Sequence, residues 1–242
     1  ALSLAVVSGP GSLDNAAHTL TITDNDLTAI TGCSSSQSPY MHNTVGNTTT
    51  TSLLTVGDQI GAYKMVGDPD GLGAFDNGNG TFTVLMNHEL STTQGITRAH
   101  GSIGSFVSKW VINKSTLCVQ SGQDLIQSVR TWNGSSFVPG TTIFNRFCSA
   151  DLPQQSALYN VNTGKGTLER IFLNGEEAGT EGRAFAHIVT GPNAGTTWQL
   201  PWLGRCNWEN QLASPTTSDK TVVVGTDDAT PGQVYVYIGT KQ

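Results

Sequence analysis

Charged side chains are scarce in this 242-residue chain, at 12% of the sequence, which is about half of the roughly 25% typical of soluble domains. Thr, Ser, Asn and Gly take their place, with 28 glycines. Few charges and many turn-forming residues are typical of short strands joined by tight turns. No stretch keeps the three- and four-residue apolar spacing of a capped amphipathic helix. The sequence therefore predicts an all-β chain and argues against a helical architecture.

A basic surface is lacking as well, because the formal net charge is −6 and the pI is about 5.2. Proteins that bind nucleic acid neutralise its phosphates with Lys and Arg, so we expect no nucleic-acid partner. No apolar run approaches the roughly 18 residues of a transmembrane segment, and none is predicted. Ala1 to Val7 is apolar but short, and we interpret it as a mature N-terminus and first strand. The Thr- and Asn-rich composition and the low lysine content favour a secreted, periplasmic or cell-surface protein.

Cysteine is also rare, and its four positions are Cys33, Cys118, Cys148 and Cys206. They lack the closely spaced pairs of a zinc site. Four cysteines allow two disulfides in three connectivities, and the spacing selects none of them. The sequence therefore predicts disulfide bonding without assigning the partners.

Short apolar stretches recur along the chain, separated by turn signals about every 8 to 12 residues, a spacing typical of a sandwich, a barrel or a propeller. Thr19–Thr23 and Thr81–Met86 are examples of predicted strands. Residues 31–52 are rich in Ser, Thr, Gly and Asn and predict a long loop anchored by Cys33. We divide the chain into residues 1–55, an N-terminal strand plus a Ser/Thr/Asn-rich loop, and residues 56–242, a set of propeller blades in an incomplete ring.

Acidic residues recur at the ends of the predicted strands. They are Asp70, Glu89, Glu177 with Glu181, Glu209, and Asp227 with Asp228. In a propeller the innermost strand of every blade points at one central channel, where residues distant in sequence meet. The pattern therefore favours a β-propeller over the other all-β folds.

The densest acidic stretch is Asn174-Gly175-Glu176-Glu177-Ala178-Gly179-Thr180-Glu181-Gly182. Clustered carboxylates repel one another unless a cation neutralises them, and hard cations such as calcium take all-oxygen ligand sets. One interpretation is therefore a divalent-metal site, and the other is a solvated hairpin loop with surface acids. Asp70 lies in a similar turn-rich segment, which fits either a calcium loop or an ordinary turn.

Four short motifs carry a resemblance to a known family. They are Asn87-His88-Glu89, Gly175-Glu176-Glu177, Leu203-Gly204-Arg205 with Trp208-Glu209, and Gly225-Thr226-Asp227-Asp228 before Val234-Tyr235-Val236-Tyr237. In this order they resemble the PhoX-type alkaline phosphatases and related secreted bacterial β-propeller proteins, over roughly Ile60 to Gln242. The resemblance implies a six-bladed propeller whose central site holds calcium ions and a pair of irons, and it implies hydrolysis of phosphate esters.

The resemblance implies metal ligation by five carboxylates, which are Glu177, Glu209, Asp228, Glu89 and Glu176. The chain has Gly175 where the family has a cysteine that bridges the irons, and Trp208 where the family has a histidine. Cys148 loosely matches another cysteine near the family's site. These departures favour the calcium ligands over the di-iron centre. The last blades of the ring are missing from the sequence, so we expect a second chain or a C-terminal half to complete it.

Three side chains are candidates for catalysis. His88 has an ordinary pKa near neutrality, which suits a general base, although a strand-end histidine is also often just hydrogen-bonded in place. Arg183 and Arg205 adjoin acidic motifs, and a guanidinium can hold a phosphate in a bidentate fork. The alternative for both arginines is a salt bridge to Glu181 or Glu209.

Two classes of function follow. In the first, the protein is an extracytoplasmic calcium-binding propeller that acts as a metal-dependent phosphoesterase, in which the metal polarises the phosphoryl oxygen and lowers the pKa of a bound water. In the second, it is a non-catalytic extracellular structural or adhesive protein, open to self-assembly, in which calcium only stiffens the blades. A carbohydrate-binding module is a third alternative that rests only on exposed aromatic residues.

Overall fold

A computed structural model describes residues 28–242 and shows an all-β chain. The strands are β1 Thr28–Thr31, β2 Thr49–Ser52, β3 Gln59–Ile60, β4 Tyr63–Lys64, β5 Pro69–Asp76, β6 Thr81–His88, β7 Phe106–Asn113, β8 Val119–Asp124, β9 Ser128–Trp132, β10 Phe137–Gly140, β11 Phe147–Asp151, β12 Tyr159–Asn160, β13 Lys165–Gly166, β14 Ile171–Glu176, β15 Ala184–Ile188, β16 Thr196–Gln199, β17 Trp208–Ala213, β18 Lys220–Asp227 and β19 Val234–Thr240. The helical segments are α1 Gln155–Leu158 and the 3-10 turns Gly179–Glu181 and Pro201–Leu203. The predicted strands at Ala1 to Val7 and Thr19–Thr23 lie outside the described residues.

Three larger sheets account for most of these strands. The first is four-stranded and antiparallel, in the order β5-β6-β7-β8, and the third is three-stranded, in the order β17-β18-β19. Between them lies a six-stranded sheet in the order β10-β9-β16-β15-β14-β11, antiparallel except where β16 runs parallel to β9. The remaining pairs, β1-β2, β3-β4 and β12-β13, form small two-stranded sheets.

The three larger sheets meet along β5, β11 and β17, because β11 contacts both β5 and β17. Glycine makes the first contact close: a Cβ added to Gly71 of β5 would lie 2.5 Å from the backbone nitrogen of Ala150 in β11. Only a residue without a side chain allows that approach. The strands that bring distant parts of the chain together are therefore the end strands of separate sheets. The all-β prediction is confirmed, whereas three open sheets do not by themselves make a propeller.

The main core lies between the first and second sheets and is rich in phenylalanine. Phe144, Phe147, Phe172 and Phe185 are each essentially inaccessible and pack with apolar residues of β6 and β7. A second cluster around Trp110 covers the opposite face of the first sheet. This two-sided burial follows from the alternation of side chains along β6 and β7. The site described below lies at one end of this packed unit.

A single disulfide joins Cys33 to Cys118 and ties the N-terminal segment to the turn before β8. Cys148 and Cys206 are free thiols, so of the two disulfides that the sequence allows, one forms. The loop predicted for residues 31–52 also differs from the structure, since β2 occupies its end and pairs in parallel with β1. The run of β-branched threonines at β2 favours an extended backbone. Within residues 28–242, no helix has the length and apolar character needed to cross a bilayer.

Candidate metal centre

Three potential metal ligands meet where the first and second sheets touch. Asp70 is the second residue of β5, Glu89 directly follows β6, and Cys148 is the second residue of β11. One donor atom from each lies within 4.8 Å of the other two, and all three residues are partly buried. Two of these residues, Asp70 and Glu89, are acids that the sequence marked as strand-end candidates. The third, Cys148, supplies a thiol to the same point.

Two further carboxylates border the same point. The thiol of Cys148 lies 3.7 Å from oxygens of both Asp70 and Glu177. Next to it, the hydroxyl of Ser149 donates a 2.6 Å hydrogen bond to Glu209, which is carried by β17 of the third sheet. We call the group of Asp70, Glu89, Cys148, Glu177 and Glu209 the carboxylate–thiol cluster. Its members come from all three larger sheets, and four of the seven strand-end acids that we expected to converge lie in it.

Crowding changes the acidity of the cluster. Burial, a hydrogen bond with Glu177 and the negative charges of Asp70 and Glu177 raise the pKa of Glu89 to about 7. Burial, together with the charges of Glu209, Asp70 and Glu89, also raises the pKa of the Cys148 thiol well above its usual range. Without a cation, the cluster therefore retains protons that isolated carboxylates and thiols would lose more readily. A bound divalent cation would reverse both effects.

Arg146 is the basic residue at the cluster, and no sequence motif selected it. Its Nη2 lies 2.6 Å from a carboxylate oxygen of Glu177, and Nε and Nη2 also donate to the Glu177 carbonyl. The side chain is 43% exposed. Its backbone has a φ of 37°, a left-handed conformation that is unfavourable for a residue with a side chain. The one available sequence signal is its position directly before Phe147 and Cys148.

A bulge in β11 and the hydrogen bonds of a buried serine set the orientation of the cluster residues. The pairing of β11 with β14 shifts register between Phe147 and Ala150, so β11 bulges at Cys148 and Ser149. A bulge redirects side chains that would otherwise follow the strand alternation. Ser105 fixes the neighbouring strand ends, because its hydroxyl donates to the His88 carbonyl at 2.5 Å and accepts from the Phe147 N–H at 2.9 Å. The segments that carry Glu89 and Cys148 are thus held together through one buried serine.

Glu176, predicted as a ligand, lies outside the cluster and pairs with Arg183. Arg183 Nε and Nη2 donate to its two carboxylate oxygens at 2.7 and 2.8 Å, and the backbone N–H groups of Asn145 and Arg183 donate as well. The remaining Arg183 donors bind Thr142 and the Ile143 carbonyl. Both side chains are therefore fully engaged outside the cluster. The salt-bridge alternative for Arg183 is present, but its partner is Glu176 and not Glu181 or Glu209.

Glu181 and Arg205 form a separate pair on the surface. Their closest atoms are 2.6 Å apart, and the side chains are 76% and 50% exposed. The predicted pairing of Glu177 with Glu181 in one metal site is therefore not observed, because the 3-10 turn Gly179–Glu181 carries Glu181 away into solvent. For Arg205, the structure shows the salt-bridge alternative with Glu181.

Asp227 and Asp228 are not brought to the cluster by any contact in residues 28–242. Asp228 is exposed, and its backbone N–H donates to the Asn207 carbonyl at 2.7 Å. Asp227 ends β18 and has one buried carboxylate oxygen without a hydrogen-bond partner. Its charge helps to raise the pKa of the neighbouring Cys206, although burial is the larger cause. Asp227 pairs with Trp208 of β17, and Asp228 follows the end of β18.

His88 is buried, and both of its ring nitrogens are engaged. Nδ1 lies 3.2 Å from the Gly67 carbonyl, Nε2 lies 2.9 Å from the Ser108 hydroxyl, and the ring stacks on Phe106. Burial lowers the pKa of His88 to about 4, so the imidazole is neutral at neutral pH. In this arrangement His88 has no free nitrogen for the predicted role of general base, and its contacts hold the β6 strand end in place.

The chain matches no protein-family model, no curated protein and no solved structure. The resemblance to PhoX-type phosphatases therefore stays a prediction, and the arguments that follow rest on the geometry of the carboxylate–thiol cluster.

Proposed function

We propose that the carboxylate–thiol cluster binds divalent metal and that the protein is a metal-dependent phosphoesterase. The observation that carries the proposal is the meeting of Asp70, Glu89 and Cys148 within 4.8 Å, with Glu177 and Glu209 beside them. Like charges brought together from distant parts of a chain destabilise the fold unless something neutralises them. A cation at this point removes that cost, and the cluster supplies its ligands.

The donor set fits two kinds of ion. Four carboxylates supply the hard oxygen ligands that calcium prefers. A thiol is a poor calcium ligand and a good ligand for softer ions such as iron, and Cys148 provides the sulfur that Gly175 cannot. Calcium held by the carboxylates is therefore the first expectation, and an iron held by Cys148 with neighbouring carboxylates is the second.

One residue at the cluster suits phosphate-ester chemistry. Arg146 is nearly half exposed, and its Nη1 makes no hydrogen bond within residues 28–242, so it is free to donate to a phosphate oxygen. A bound metal would add Lewis-acid polarisation of the phosphoryl oxygen and a more acidic water.

The test combines elemental analysis with a hydrolysis assay. The purified protein should contain calcium, with or without iron, and should hydrolyse a chromogenic phosphate ester in an EDTA-sensitive manner. Glu177→Gln and Glu209→Gln should lower both the metal content and the activity, because each removes a charged ligand. Glu181→Gln is the matched control, since Glu181 is an exposed acid paired with Arg205 outside the cluster. Activity that survives EDTA would rule out this mechanism.

The second candidate function is a non-catalytic extracellular structural or adhesive protein. It is favoured by the position of the cluster, which joins three separate sheets and could serve only to fasten them. Under this hypothesis calcium raises the melting temperature while no ester is hydrolysed. The Cys33–Cys118 disulfide agrees with either function outside the cytoplasm.

A partner chain or self-assembly is part of both functions as proposed. The edge strand β19 supports it, because Val234, Val236 and Ile238 are each more than 60% exposed. An apolar, uncharged edge strand is open to pairing with another strand. Size-exclusion chromatography with light scattering would show whether the chain associates at micromolar concentration.

A further inference from the structure

A buried chain of hydrogen bonds runs from the middle of the six-stranded sheet to the carboxylate–thiol cluster. It begins at Thr197 of β16 and passes through His187 of β15, Asn174 of β14 and Asn87 of β6. Its last link is the side-chain nitrogen of Asn87, which lies 2.6 Å from the carbonyl of Cys148 and 3.4 Å from that of Ser149. The four side chains are at most 1% exposed.

The direction of every bond in this chain follows from its last link. A carbonyl only accepts, so Asn87 must present its NH2 to Cys148 and its oxygen to Asn174. Asn174 then donates through its own NH2 at 2.9 Å and accepts from His187 Nε2–H at 2.8 Å. This leaves His187 Nδ1 to accept from the Thr197 hydroxyl at 2.7 Å. Burial lowers the pKa of His187 to about 3, in agreement with a neutral ring that carries a single N–H.

The hydrogen-bond chain ends at the bulge of β11. The bulge between Phe147 and Ala150 interrupts the pairing with β14, so the carbonyls of Cys148 and Ser149 are not part of the regular ladder. Buried carbonyls without a partner cost free energy. Asn87 supplies the missing donors, and it is one residue from His88 and two from the cluster member Glu89.

We propose that Asn87 is a positioning residue of the metal centre, and that Asn174 and His187 fix the orientation of its amide. By holding the carbonyls of the bulge, Asn87 sets the direction in which the Cys148 sulfur and the Ser149 hydroxyl point, and through Ser149 it also places Glu209. This inference rests on the proposed metal-binding function. It assigns a role to three buried polar residues, two of which, Asn87 and Asn174, lie in sequence motifs whose acids alone were selected as ligands.

A different explanation is that these side chains only stabilise the core. Both explanations predict a lower melting temperature when a substitution interrupts this chain of hydrogen bonds, so stability alone does not separate them. Only a positioning role predicts that metal affinity and sulfur ligation change as well. Residues that orient metal ligands typically contribute about 10- to 100-fold to metal affinity.

The experiment uses Co²⁺ as the probe, because a cobalt–thiolate bond gives a charge-transfer absorption band that reports on Cys148. All proteins carry Cys206→Ser, so Cys148 is the remaining free thiol. The variant is Asn87→Asp, which keeps the shape of the side chain and removes its donors. The matched control is Asn160→Asp, a buried asparagine that donates to Asp219 at 2.6 Å in the β12 turn. Asn174→Ala serves as a second variant if Asn87→Asp does not fold.

We expect Asn87→Asp to weaken Co²⁺ binding by about 10- to 100-fold and to diminish the thiolate band, with Asn160→Asp unchanged in both. Unchanged affinity and band in a folded Asn87→Asp or Asn174→Ala protein would overturn the proposal.

Reaction of Cys148 with a thiol reagent in metal-free protein is an independent measurement, and loosening of the bulge should speed this reaction by about tenfold. If the parent protein binds no Co²⁺, metal binding fails, and a faster thiol reaction in the variant then supports only the hold of Asn87 on the Cys148 backbone. If the parent binds Co²⁺ and the variant changes neither Co²⁺ binding nor the rate of the thiol reaction, the positioning role of Asn87 is refuted while metal binding is not.

Discussion

The buried ion pair between Arg183 and Glu176 allows the packing to be tested without any ligand. The carboxylate of Glu176 is 4% exposed and the Arg183 side chain 19% exposed, with two contacts of 2.7 and 2.8 Å between them. Arg183→Met keeps an apolar stem and removes the charge, which leaves the carboxylate with backbone donors only. Removing one partner of a buried pair costs about 3–5 kcal/mol. We expect a loss of about 3 kcal/mol in the free energy of unfolding, at the lower end because Arg183 is partly accessible.

The assay is urea unfolding followed by tryptophan fluorescence at pH 7, in the presence of EDTA. Arg205→Met is the control, since its pair with Glu181 is exposed and surface pairs contribute less than about 1 kcal/mol. The double variant Glu176→Gln/Arg183→Met should recover part of the lost stability, because no charge is then left alone. The reasoning is refuted if Arg183→Met and Arg205→Met lower the stability equally.

Two further predictions concern the cluster and the strands that form it. Because the pKa of Glu89 is raised from 4.5 to about 7 in the folded protein, its contribution to stability is complete below about pH 4.5 and is lost as the pH rises through 7. In metal-free protein, the melting temperature of Glu89→Gln relative to that of the wild type should therefore increase from pH 5 to pH 8. A difference that stays constant with pH would contradict the assignment. Gly71→Ala places a Cβ 2.5 Å from the β11 backbone and should cost about 1–3 kcal/mol in urea unfolding. Gly140→Ala, which has open space around it, should leave stability nearly unchanged, and equal effects at the two glycines would count against the close approach of β5 and β11.

The strand-end acids were the part of the site that could be predicted from sequence. Glu177 and Glu209 each follow or belong to a strand that ends at the meeting of the three sheets, and a period-two pattern with turn signals locates such ends well. Sequence could not separate Glu177 from its neighbour Glu176. Adjacent residues of an extended segment point in opposite directions, and the Glu176 side chain meets Arg183 instead.

The positions of the thiol and the arginine depended on features that no local pattern reveals, although the family resemblance loosely matched Cys148 to a cysteine near the site. Cys148 reaches the cluster because β11 bulges, and Arg146 does so through a left-handed backbone conformation. Both arise from tertiary contacts and not from residue preference. The same holds for His88, whose place in a motif suggested chemistry but whose two nitrogens are occupied by Gly67 and Ser108.

The carboxylate–thiol cluster draws on positions from Asp70 to Glu209, so most of the polypeptide lies between its first and last members. No short nascent segment can assemble it, since contacts between residues so far apart form late in folding. If the cluster binds metal as proposed, loading would accordingly follow the acquisition of tertiary structure, and the ion would come from the compartment in which the chain folds. The metal bound by the mature protein would then depend on the compartment in which folding was completed.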